Sequence, residues 1–309
     1  MYGREDFLEE YTGIASKSDL RGLYRNIGPC TTAMAVNDLL ALGADAFAYF
    51  DAITCGNSEW FSKDYDRTKE LLQGYKDAAD IGKFAIPQGE TSEQRGIVDS
   101  RTLHLAGAAR GLIRPRSRLM TGSKIKEGDK IYGLESSGIH SNGLSKAIAI
   151  AGKLEDGLLT DLGNGKTLGE ELLMPTINYS PPIMRMSERA VDIHYLQPVT
   201  GHGKLKVARA MYPFTYVITQ LPEPSLIFRK LIEFGGEHGF DVSDRENHFT
   251  WNMDTGFVVI APKHERDLIE RVAKESEIKT HELGYVEKGP RRVVMPFKEH
   301  GKPVVYTPD

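Results

Sequence analysis

The octapeptide Ser-Ser-Gly-Ile-His-Ser-Asn-Gly, residues 136–143, connects a predicted strand to a predicted helix. Its small residues let the backbone approach a ligand closely, and the N-terminus of the following helix favours an anion such as phosphate. His140 can donate to a phosphate oxygen or transfer a proton near neutral pH. Helix capping accounts for Ser141 and Asn142 but not for the whole octapeptide. We therefore interpret this turn as a binding site for an anionic ligand.

A second turn of the same kind follows later in the chain. Val-Thr-Gly-His-Gly-Lys, residues 199–204, also places small residues around a histidine and opens a predicted helix that runs to Ala210. His202 can contact an anion there, and a plain helix cap is the competing interpretation. The two turns together predict phosphate-binding loops in the second half of the chain.

Three carboxylates of the first half stand in apolar or glycine-containing segments. Asp38 lies in a predicted helix, Asp51 in an aromatic strand, and Glu90 in Gly-Glu-Thr, beside the hydroxyl of Thr91. A carboxylate among apolar residues needs a partner or a cation. Asp38 and Asp51 together are suited to Mg²⁺, which takes carboxylate oxygens and leaves room for phosphate. The ordinary alternatives are solvent exposure for Asp38, a loop cap for Asp51 and a turn with a helix cap for Glu90.

The hydrophobic patterns predict mixed α and β structure. Helices are predicted at residues 19–42, 64–81, 142–151, 182–190, 225–233 and 263–276, and strands at 46–53, 84–87, 102–113, 130–135, 214–219, 256–261, 282–286 and 292–295. Pro29 predicts a kink in or a division of the first helix, and Gly43 its end. The inner face of the second helix is predicted to carry Leu71, Leu72, Tyr75 and Ala79. Antiparallel pairing is favoured, and no GxGxxG or Walker-type glycine loop is present.

Length and composition narrow the class of protein. At roughly 150 residues per domain, 309 residues predict about two domains, and a polar, proline-broken stretch near residue 120 divides them into 1–120 and 121–309. A net charge of −4 does not favour nucleic acid or anionic membranes as partners. Cys30 and Cys55 are too few for a disulfide framework or an all-cysteine zinc site. Without a signal peptide or a long apolar run, a cytoplasmic protein is expected.

Six segments carry a family resemblance when they are taken in order. They are Ala35-Val36-Asn37-Asp38-Leu39, Phe50-Asp51, Gly89-Glu90-Thr91, Ser137-Gly138-Ile139-His140-Ser141-Asn142-Gly143, Leu173-Met174-Pro175-Thr176 and Val199-Thr200-Gly201-His202-Gly203. With these segments the chain resembles the aminoimidazole ribonucleotide synthase family, also called phosphoribosylformylglycinamidine cyclo-ligases. Their order and spacing match that family from about Leu20 to the C-terminus.

The resemblance implies an α/β (α+β), two-domain PurM-like fold. The N-terminal domain would pair with its twin in a homodimer through a barrel-like sheet interface, and the C-terminal domain would be mixed α/β. The implied reaction belongs to purine biosynthesis. ATP phosphorylates the amide oxygen of formylglycinamidine ribonucleotide, and a nitrogen of the same molecule then displaces phosphate to close the imidazole ring.

The resemblance also implies roles for individual residues. The residues implied for Mg²⁺-ATP are Asn37, Asp38, Asp51, Glu90 and Thr91, with Asp38, Asp51 and Glu90 as the metal ligands. The residues implied for the phosphorylated substrate are His140, Ser141, Asn142, Gly143, Thr176, Thr200, Gly201, His202 and Gly203. His140 and Glu90 are the catalytic candidates.

Three departures from the family pattern keep alternatives open. The family's Gly-Gly-Glu-Thr reads Gln88-Gly89-Glu90-Thr91 here and is followed by Ser92-Glu93-Gln94-Arg95-Gly96 where a Pro-Gly-containing loop is usual. The family carries an Asp-Gly-x-Gly-Thr-Lys segment before the Asn-Asp helix. This chain starts downstream of that segment, which is therefore expected from an earlier start or from a separate chain. The late Asn-x-Gly-x-Gly element reads Asn252-Met253-Asp254-Thr255-Gly256. The alternatives are another ATP-using enzyme of the same superfamily, or a non-catalytic paralogue that serves as a binding or dimerisation module.

Overall fold

The structure, a computed structural model, describes residues 21–308 and contains two β-sheets. The first sheet has three strands. Its central strand is β1 (Asp45–Cys55), which pairs in parallel with β2 (Ala85–Glu93) and antiparallel with β3 (Leu103–Leu112).

Helices cover one face of this sheet. They are α1 (Ile27–Ala41), the short α2 (Glu59–Lys63) and α3 (Tyr65–Gly82). Tyr49 and Ile53 point from β1 to that face and share one apolar core with Leu71 and Tyr75 of α3. The predicted inner face of α3 is thus correct for these two residues, but Leu72 is exposed.

The opposite face of the sheet is open in the described chain. It carries the alternate residues of β1, among them Phe50 and Ala52. Their register partners Ala108, Glu90 and Ala106 on the neighbouring strands are exposed. An uncovered face that carries small and apolar residues beside polar ones is a feature that a second sheet or a partner can bury.

Helix α1 ends as the sequence predicts but begins differently. Gly43 takes φ +79°, and the amides of Gly43 and Ala44 donate to the carbonyls of Leu40 and Leu39, which is a Schellman cap. The predicted helix of residues 19–42 divides into a 3₁₀-helix, Arg21–Asn26, and α1. Pro29 causes no kink because it lies in the first turn of α1, where its missing N–H costs no helical bond. Residues 19 and 20 lie outside the described residues.

The second sheet has seven strands in the order β10-β9-β6-β8-β4-β7-β5. The strands are β4 (Lys130–Glu135), β5 (Tyr195–Pro198), β6 (Phe214–Ile218), β7 (Thr255–Ala261), β8 (Thr280–Lys288), β9 (Arg292–Glu299) and β10 (Lys302–Tyr306). All neighbouring pairs are antiparallel except β6 and β9. The prediction of mainly antiparallel pairing is therefore confirmed for this sheet.

Six helices belong to the second half of the chain. They are α4 (Leu144–Ala151), α5 (Leu168–Leu172), α6 (Ser180–Glu188), α7 (Leu226–Glu237), α8 (Asp244–Thr250) and α9 (Arg266–Glu275). α6 and α9 pack on one face of the seven-stranded sheet, and Leu40 of α1 joins the same core. Every residue of β7 is buried, as expected for a strand that is covered on both faces.

Two predictions about local structure are wrong. The predicted strand at residues 84–87 is too short, because β2 continues to Glu93 in register with β1, which also excludes the alternative of a turn with a helix cap at Glu90. The helix that begins after His202 is a 3₁₀-helix, Gly203–Arg209. Five short elements, α2, α5, α8, β5 and β10, are not predicted by the sequence patterns. Among residues 21–308, no helix combines the length and the apolar composition needed to cross a membrane.

Candidate functional site

The Leu-Met-Pro-Thr segment of the second half lies against the start of α1. The side-chain amide of Asn26 donates to the carbonyl of Leu173 over 3.2 Å, and the backbone N–H of Thr176 donates to Cys30 Sγ over 3.2 Å. Helix α1 therefore positions a motif of the second half relative to the first sheet.

Asn37 holds the end of the same segment. Its Nδ2 donates to the carbonyl of Ile177 over 2.9 Å, and its Oδ1 accepts from the N–H of Tyr179 over 3.0 Å. The side chain is buried, at 5% exposure. Asn37 thus serves as a link between the two halves, and its expected cofactor-binding role stays a prediction.

The side chain of His140 is buried in the protein and is not presented on the surface of the octapeptide. Its side chain is 4% exposed, its φ is +58°, and its Nε2 accepts a hydrogen bond from the N–H of Ser137 over 3.2 Å. An accepting Nε2 places the proton of the neutral ring on Nδ1. His140 therefore holds the turn in shape, and its expected catalytic role stays a prediction.

Ser141 and Asn142 form the accessible part of the octapeptide, and both are half-buried. The hydroxyl of Ser141 lies 3.0 Å from that of Thr176, and Nδ2 of Asn142 lies 4.0 Å from Sδ of Met34 on α1. The octapeptide therefore meets both the Leu-Met-Pro-Thr segment and α1.

Gly143 ends the octapeptide in a conformation that requires glycine. Its φ is +78°, and a Cβ there would lie 2.3 Å from Cδ1 of Trp251. The indole Nε1 of Trp251 donates to the Gly143 carbonyl over 3.2 Å. Gly143 therefore shapes the turn through a close backbone approach.

The second glycine-containing turn lies beside the first. A Cβ on Gly201 would lie 3.6 Å from Oδ1 of Asn142, so the two turns meet at these residues. His202 is exposed, with φ +71°, and its ring meets that of Phe249 edge to face at 5.4 Å. Gly203 takes φ +48°, and a Cβ there would collide with the backbone of α8. Thr200 and Gly201 are half-buried beside them.

Asp38 faces a lysine that the sequence patterns did not single out. Lys206 is half-buried in the 3₁₀-helix after the second turn, and burial lowers its pKa, which Arg209 lowers further and Asp38 raises. Asp38 itself is exposed on α1. Its electrostatic interaction with Lys206 crosses between the two halves of the chain, so only the fold reveals it.

These contacts define one surface, which we call the interdomain surface. It consists of Met34, Asp38, Ser141, Asn142, Gly201 and Lys206. Each of its residues is half-buried or exposed, and it combines a carboxylate, an ammonium, a hydroxyl and an amide. Such a set can bind a phosphorylated, hydrogen-bonding small molecule.

The other acidic candidates lie on the first sheet. Asp51 points to the helix-covered face of the first sheet, where a Cβ on Gly89 would lie 2.2 Å from its Oδ1. Burial raises the pKa of Asp51. Glu90 pairs in register with Ala52 and faces the open side. Asp51 and Glu90 therefore lie on opposite faces. Within residues 21–308, no group of three His, Cys, Asp or Glu residues could hold a metal ion.

A separate pocket lies at the carboxyl ends of the parallel strands β1 and β2. It has a volume of about 720 Å³ and is lined by residues 56–59 and 95–100. None of the residues that the sequence singled out contributes to it. The expected site and this pocket are therefore different places on the first half.

Comparison with known families covers both halves of the chain. Residues 11–113 match the N-terminal domain, and residues 126–295 the C-terminal domain, of the family described as AIR synthase related protein. The chain is 35% identical over 277 residues to phosphoribosylformylglycinamidine cyclo-ligase of Clostridium acetobutylicum, covering 86% of this chain and 76% of that protein. It is 36% identical over 256 residues to the enzyme of the same name from Methanothermobacter thermautotrophicus, covering 81% and 72%.

Solved structures share the fold at lower identity. A hydrogenase maturation protein HypE aligns with a TM-score of 0.64 and 17% identity, covering 92% of this chain and 83% of that chain. Thiamine-monophosphate kinase from Stenotrophomonas maltophilia aligns with a TM-score of 0.62 and 18% identity, covering 91% and 80%. These similarities establish the two-domain α/β fold that the resemblance predicts.

Proposed function

Because the chain belongs to the family of AIR synthase related proteins, we propose that it is a phosphoribosylformylglycinamidine cyclo-ligase that closes the imidazole ring in purine biosynthesis with ATP. The observation that carries the proposal is the interdomain surface. There the octapeptide, the second glycine-containing turn, the Leu-Met-Pro-Thr segment and α1 meet, although they lie far apart in the chain.

The proposed reaction proceeds in two steps. The amide oxygen of formylglycinamidine ribonucleotide first attacks the γ-phosphorus of ATP, which forms a new P–O bond and releases ADP. A nitrogen of the same molecule then attacks the activated carbon, the carbon–oxygen bond breaks, and phosphate leaves as the ring closes. Both steps require positioning and charge neutralisation more than covalent help from the protein.

The substrate would bind on the interdomain surface. The ammonium of Lys206 and the turn from Thr200 to Gly203 suit the ribose phosphate, because a cation and close backbone amides favour an anion. Ser141 and Asn142 are the accessible hydrogen-bonding groups of the octapeptide, and we assign them to the reacting part of the substrate. His140 stabilises the backbone of the same turn by accepting a hydrogen bond from the N–H of Ser137.

Asp38 and Asp51 are the proposed ligands for the Mg²⁺ that accompanies ATP. Asp51 has no ion-pair partner among the described residues, and a Mg²⁺ bound with phosphates commonly needs only one or two carboxylates. When bound, Mg²⁺ would neutralise charge on the phosphates. Glu90 would take part in the nucleotide site only through the open face of the sheet, whereas Thr91 pairs with Ile53 and lies on the helix-covered side, as Asp51 does.

We also assign the open face of the three-stranded sheet to a second copy of the chain. Its alternate residues are small, apolar or polar, and no described element covers them. A homodimer through this face would bury Phe50 and Ala52 and would bring Glu90 to the interface.

The proposal is tested by a product assay on purified protein. We expect formation of aminoimidazole ribonucleotide from formylglycinamidine ribonucleotide with one ADP released per product. Asn142→Ala should lower kcat/KM by roughly 10²-fold, because it removes a hydrogen-bonding group at the reacting part of the substrate. Lys153→Met, an exposed lysine after α4, is the matched control and should retain activity. An inactive wild type, or an unchanged Asn142→Ala enzyme, would contradict the proposal.

A further inference from the structure

Lys204 ends the second glycine-containing turn with its whole side chain buried. It is 0% exposed, although lysine is almost never fully buried in proteins. Its Nζ donates to the backbone carbonyl of Asn252 over 2.6 Å. A buried ammonium must be held by good acceptors or by charge, so this contact is a specific feature of the site.

Asn252 connects Lys204 to the octapeptide. Its Oδ1 accepts from the hydroxyl of Ser136 over 2.9 Å, and its Nδ2 donates to the carbonyl of Gly138 over 2.8 Å. Both Asn252 and Ser136 are buried. A continuous chain of hydrogen bonds therefore runs from Lys204 in one turn to Ser136 and Gly138 in the other.

Asp254 supplies the charge that accompanies the buried ammonium. It is 6% exposed, and its Oδ2 accepts from the N–H of Ser225 over 2.6 Å. Burial lowers the pKa of Lys204 to about 7, and Asp254 acts in the opposite direction. The family pattern has glycine where this chain has Asp254, and burial raises the pKa of the Asp254 carboxyl, which Lys204 lowers in turn.

The turn between these charges has an unusual backbone. Met253 and Asp254 take φ values of +45° and +60°, in the left-handed region that non-glycine residues rarely adopt. Such residues persist where the surroundings hold them. Lys204 holds one side of this turn through the Asn252 carbonyl, and the N–H of Ser225 holds the other through the Asp254 carboxylate.

We infer that Lys204 is a positioning residue that fixes the second turn, residues 199–204, against the octapeptide through Asn252. The two turns then form one unit and present Asn142 and Gly201 at a fixed separation on the interdomain surface. The structural part of this inference is independent of the reaction, and only its effect on catalysis rests on the proposed function.

Hydrogen exchange of the unliganded protein tests the structural part. In Lys204→Met, which keeps the length of the side chain and removes its charge and donor, the amides of both turns should exchange at least about tenfold faster. Amides of α9 and β8 should keep wild-type rates, as should all amides in the control Lys153→Met. Faster exchange confined to residues 199–206, or spread evenly over the chain, would overturn the inference.

A milder variant covers the case in which Lys204→Met does not fold. Ser136→Ala removes only the hydroxyl that donates to Asn252. We expect faster exchange in residues 199–204 as well as around residue 136, because the change must pass through Asn252 to reach Lys204. Unchanged exchange in residues 199–204 of Ser136→Ala would show that the turns are not linked.

Kinetics then separates positioning from simple loss of stability. Under conditions where the variant is fully folded, Lys204→Met should raise KM for the ribonucleotide substrate at least about tenfold and leave KM for ATP unchanged. Equal changes in both constants would contradict a role confined to the substrate turns. A wild type without turnover would overturn the proposed function, and the exchange result would still decide the inference.

Discussion

Gly256 leaves the space that two buried rings next to the candidate site, those of His140 and Tyr179, occupy. A Cβ at this position would lie 2.0 Å from Oη of Tyr179 and 2.6 Å from Cε1 of His140. Tyr179 in turn donates to the carbonyl of Glu135 over 2.7 Å at the end of β4. Only glycine fits at this position, because the rings of His140 and Tyr179 fill the volume that a side chain at residue 256 would need.

Gly256→Ala should destabilise the protein by about 1–3 kcal/mol, the usual cost of inserting a methyl group into a filled core. The free energy of unfolding of both proteins can be measured by urea unfolding monitored by tryptophan fluorescence. Gly152→Ala is the matched control, because its Cβ would meet only ordinary contacts of 3.5 Å or more, and it should change stability by less than about 0.5 kcal/mol. Equal stabilities of Gly256→Ala and wild type would show that the space is not filled as described.

His248 predicts a dependence of stability on pH. It is 6% exposed and stacks on Phe297 at 5.2 Å, and burial, with a smaller effect of Lys204, lowers its pKa to about 3. The unfolded chain binds a proton near pH 6.5, whereas the folded chain does so only near pH 3. Stability is therefore lost as the pH falls through this interval, by up to about 1.4 kcal/mol per pH unit.

His248→Phe keeps the stacked ring and removes the titration. The free energy of unfolding, measured in urea between pH 6.5 and pH 4, should fall less steeply in this variant than in wild type. His238→Phe changes an exposed histidine and is the control. Parallel pH curves for wild type and His248→Phe would contradict a buried neutral imidazole at this position.

The sequence predicted only part of the site at the level of residues. Ser141 lies beside Thr176 and Asn142 beside Gly201, and the substrate-binding role of these residues stays a prediction. Lys206 was missed because its partner Asp38 lies on a helix more than 160 positions earlier, and no local pattern records that contact. The burial of Lys204 was missed for a related reason, since lysine is ordinarily a surface residue.

At the scale of elements, local signals were reliable where the chain supplies its own cap. The predicted helix at residues 64–81 matches α3 closely, because the side chain of Asp64 accepts from the N–H of Arg67 and caps it. The extent of β2 could not be predicted in the same way. Its last residues, from Gly89 to Glu93, are strand because they pair with β1, which is a tertiary interaction. The short elements α2, α5, α8, β5 and β10 were missed because each is too short to show a clear periodicity.

Two adjacent glycines near the end of α7 give a prediction about helix packing. A Cβ on Gly235 would lie 2.8 Å from Val242 and 3.1 Å from Ile150, whereas a Cβ on Gly236 would lie 3.5 Å from Val242. Gly236→Ala should therefore raise the free energy of unfolding by about 0.5–1 kcal/mol through lower backbone entropy of the unfolded chain.

Gly235→Ala should lower the free energy of unfolding by about 1 kcal/mol or more, because Val242 and Ile150 must move to make room for the added methyl group. Thermal and urea unfolding of the two variants provide the comparison, and each serves as the control of the other. Two variants with the same stability would show that α7 does not pack against Ile150 and Val242 as described.

At the scale of the whole molecule, α1 joins the two halves. It contributes to the core under the three-stranded sheet and, through Leu40, to the core of the seven-stranded sheet. The stretch between the sheets, residues 113–129, contains the boundary that the sequence placed near residue 120. The division into 1–120 and 121–309 stays a prediction, as does a cytoplasmic location.

The open face of the three-stranded sheet gives a prediction about assembly. Wild type should sediment with about twice the chain mass of 34.4 kDa. Ala52→Arg places a large charge at the centre of this face and should give a monomer, because an unpaired charge is costly in a buried interface. Glu237→Arg, an exposed change at the end of α7, should leave the dimer intact. A dimeric Ala52→Arg protein would place the interface elsewhere.

The most direct test of the cyclo-ligase proposal follows one oxygen atom. Formylglycinamidine ribonucleotide labelled with ¹⁸O at the amide oxygen is incubated with the protein and ATP, and the released phosphate is analysed by mass spectrometry. Because the amide oxygen attacks phosphorus and leaves as part of phosphate, one ¹⁸O should appear in phosphate for each aminoimidazole ribonucleotide formed. Ring closure without label in phosphate, or ATP hydrolysis without ring closure, would contradict the proposed reaction.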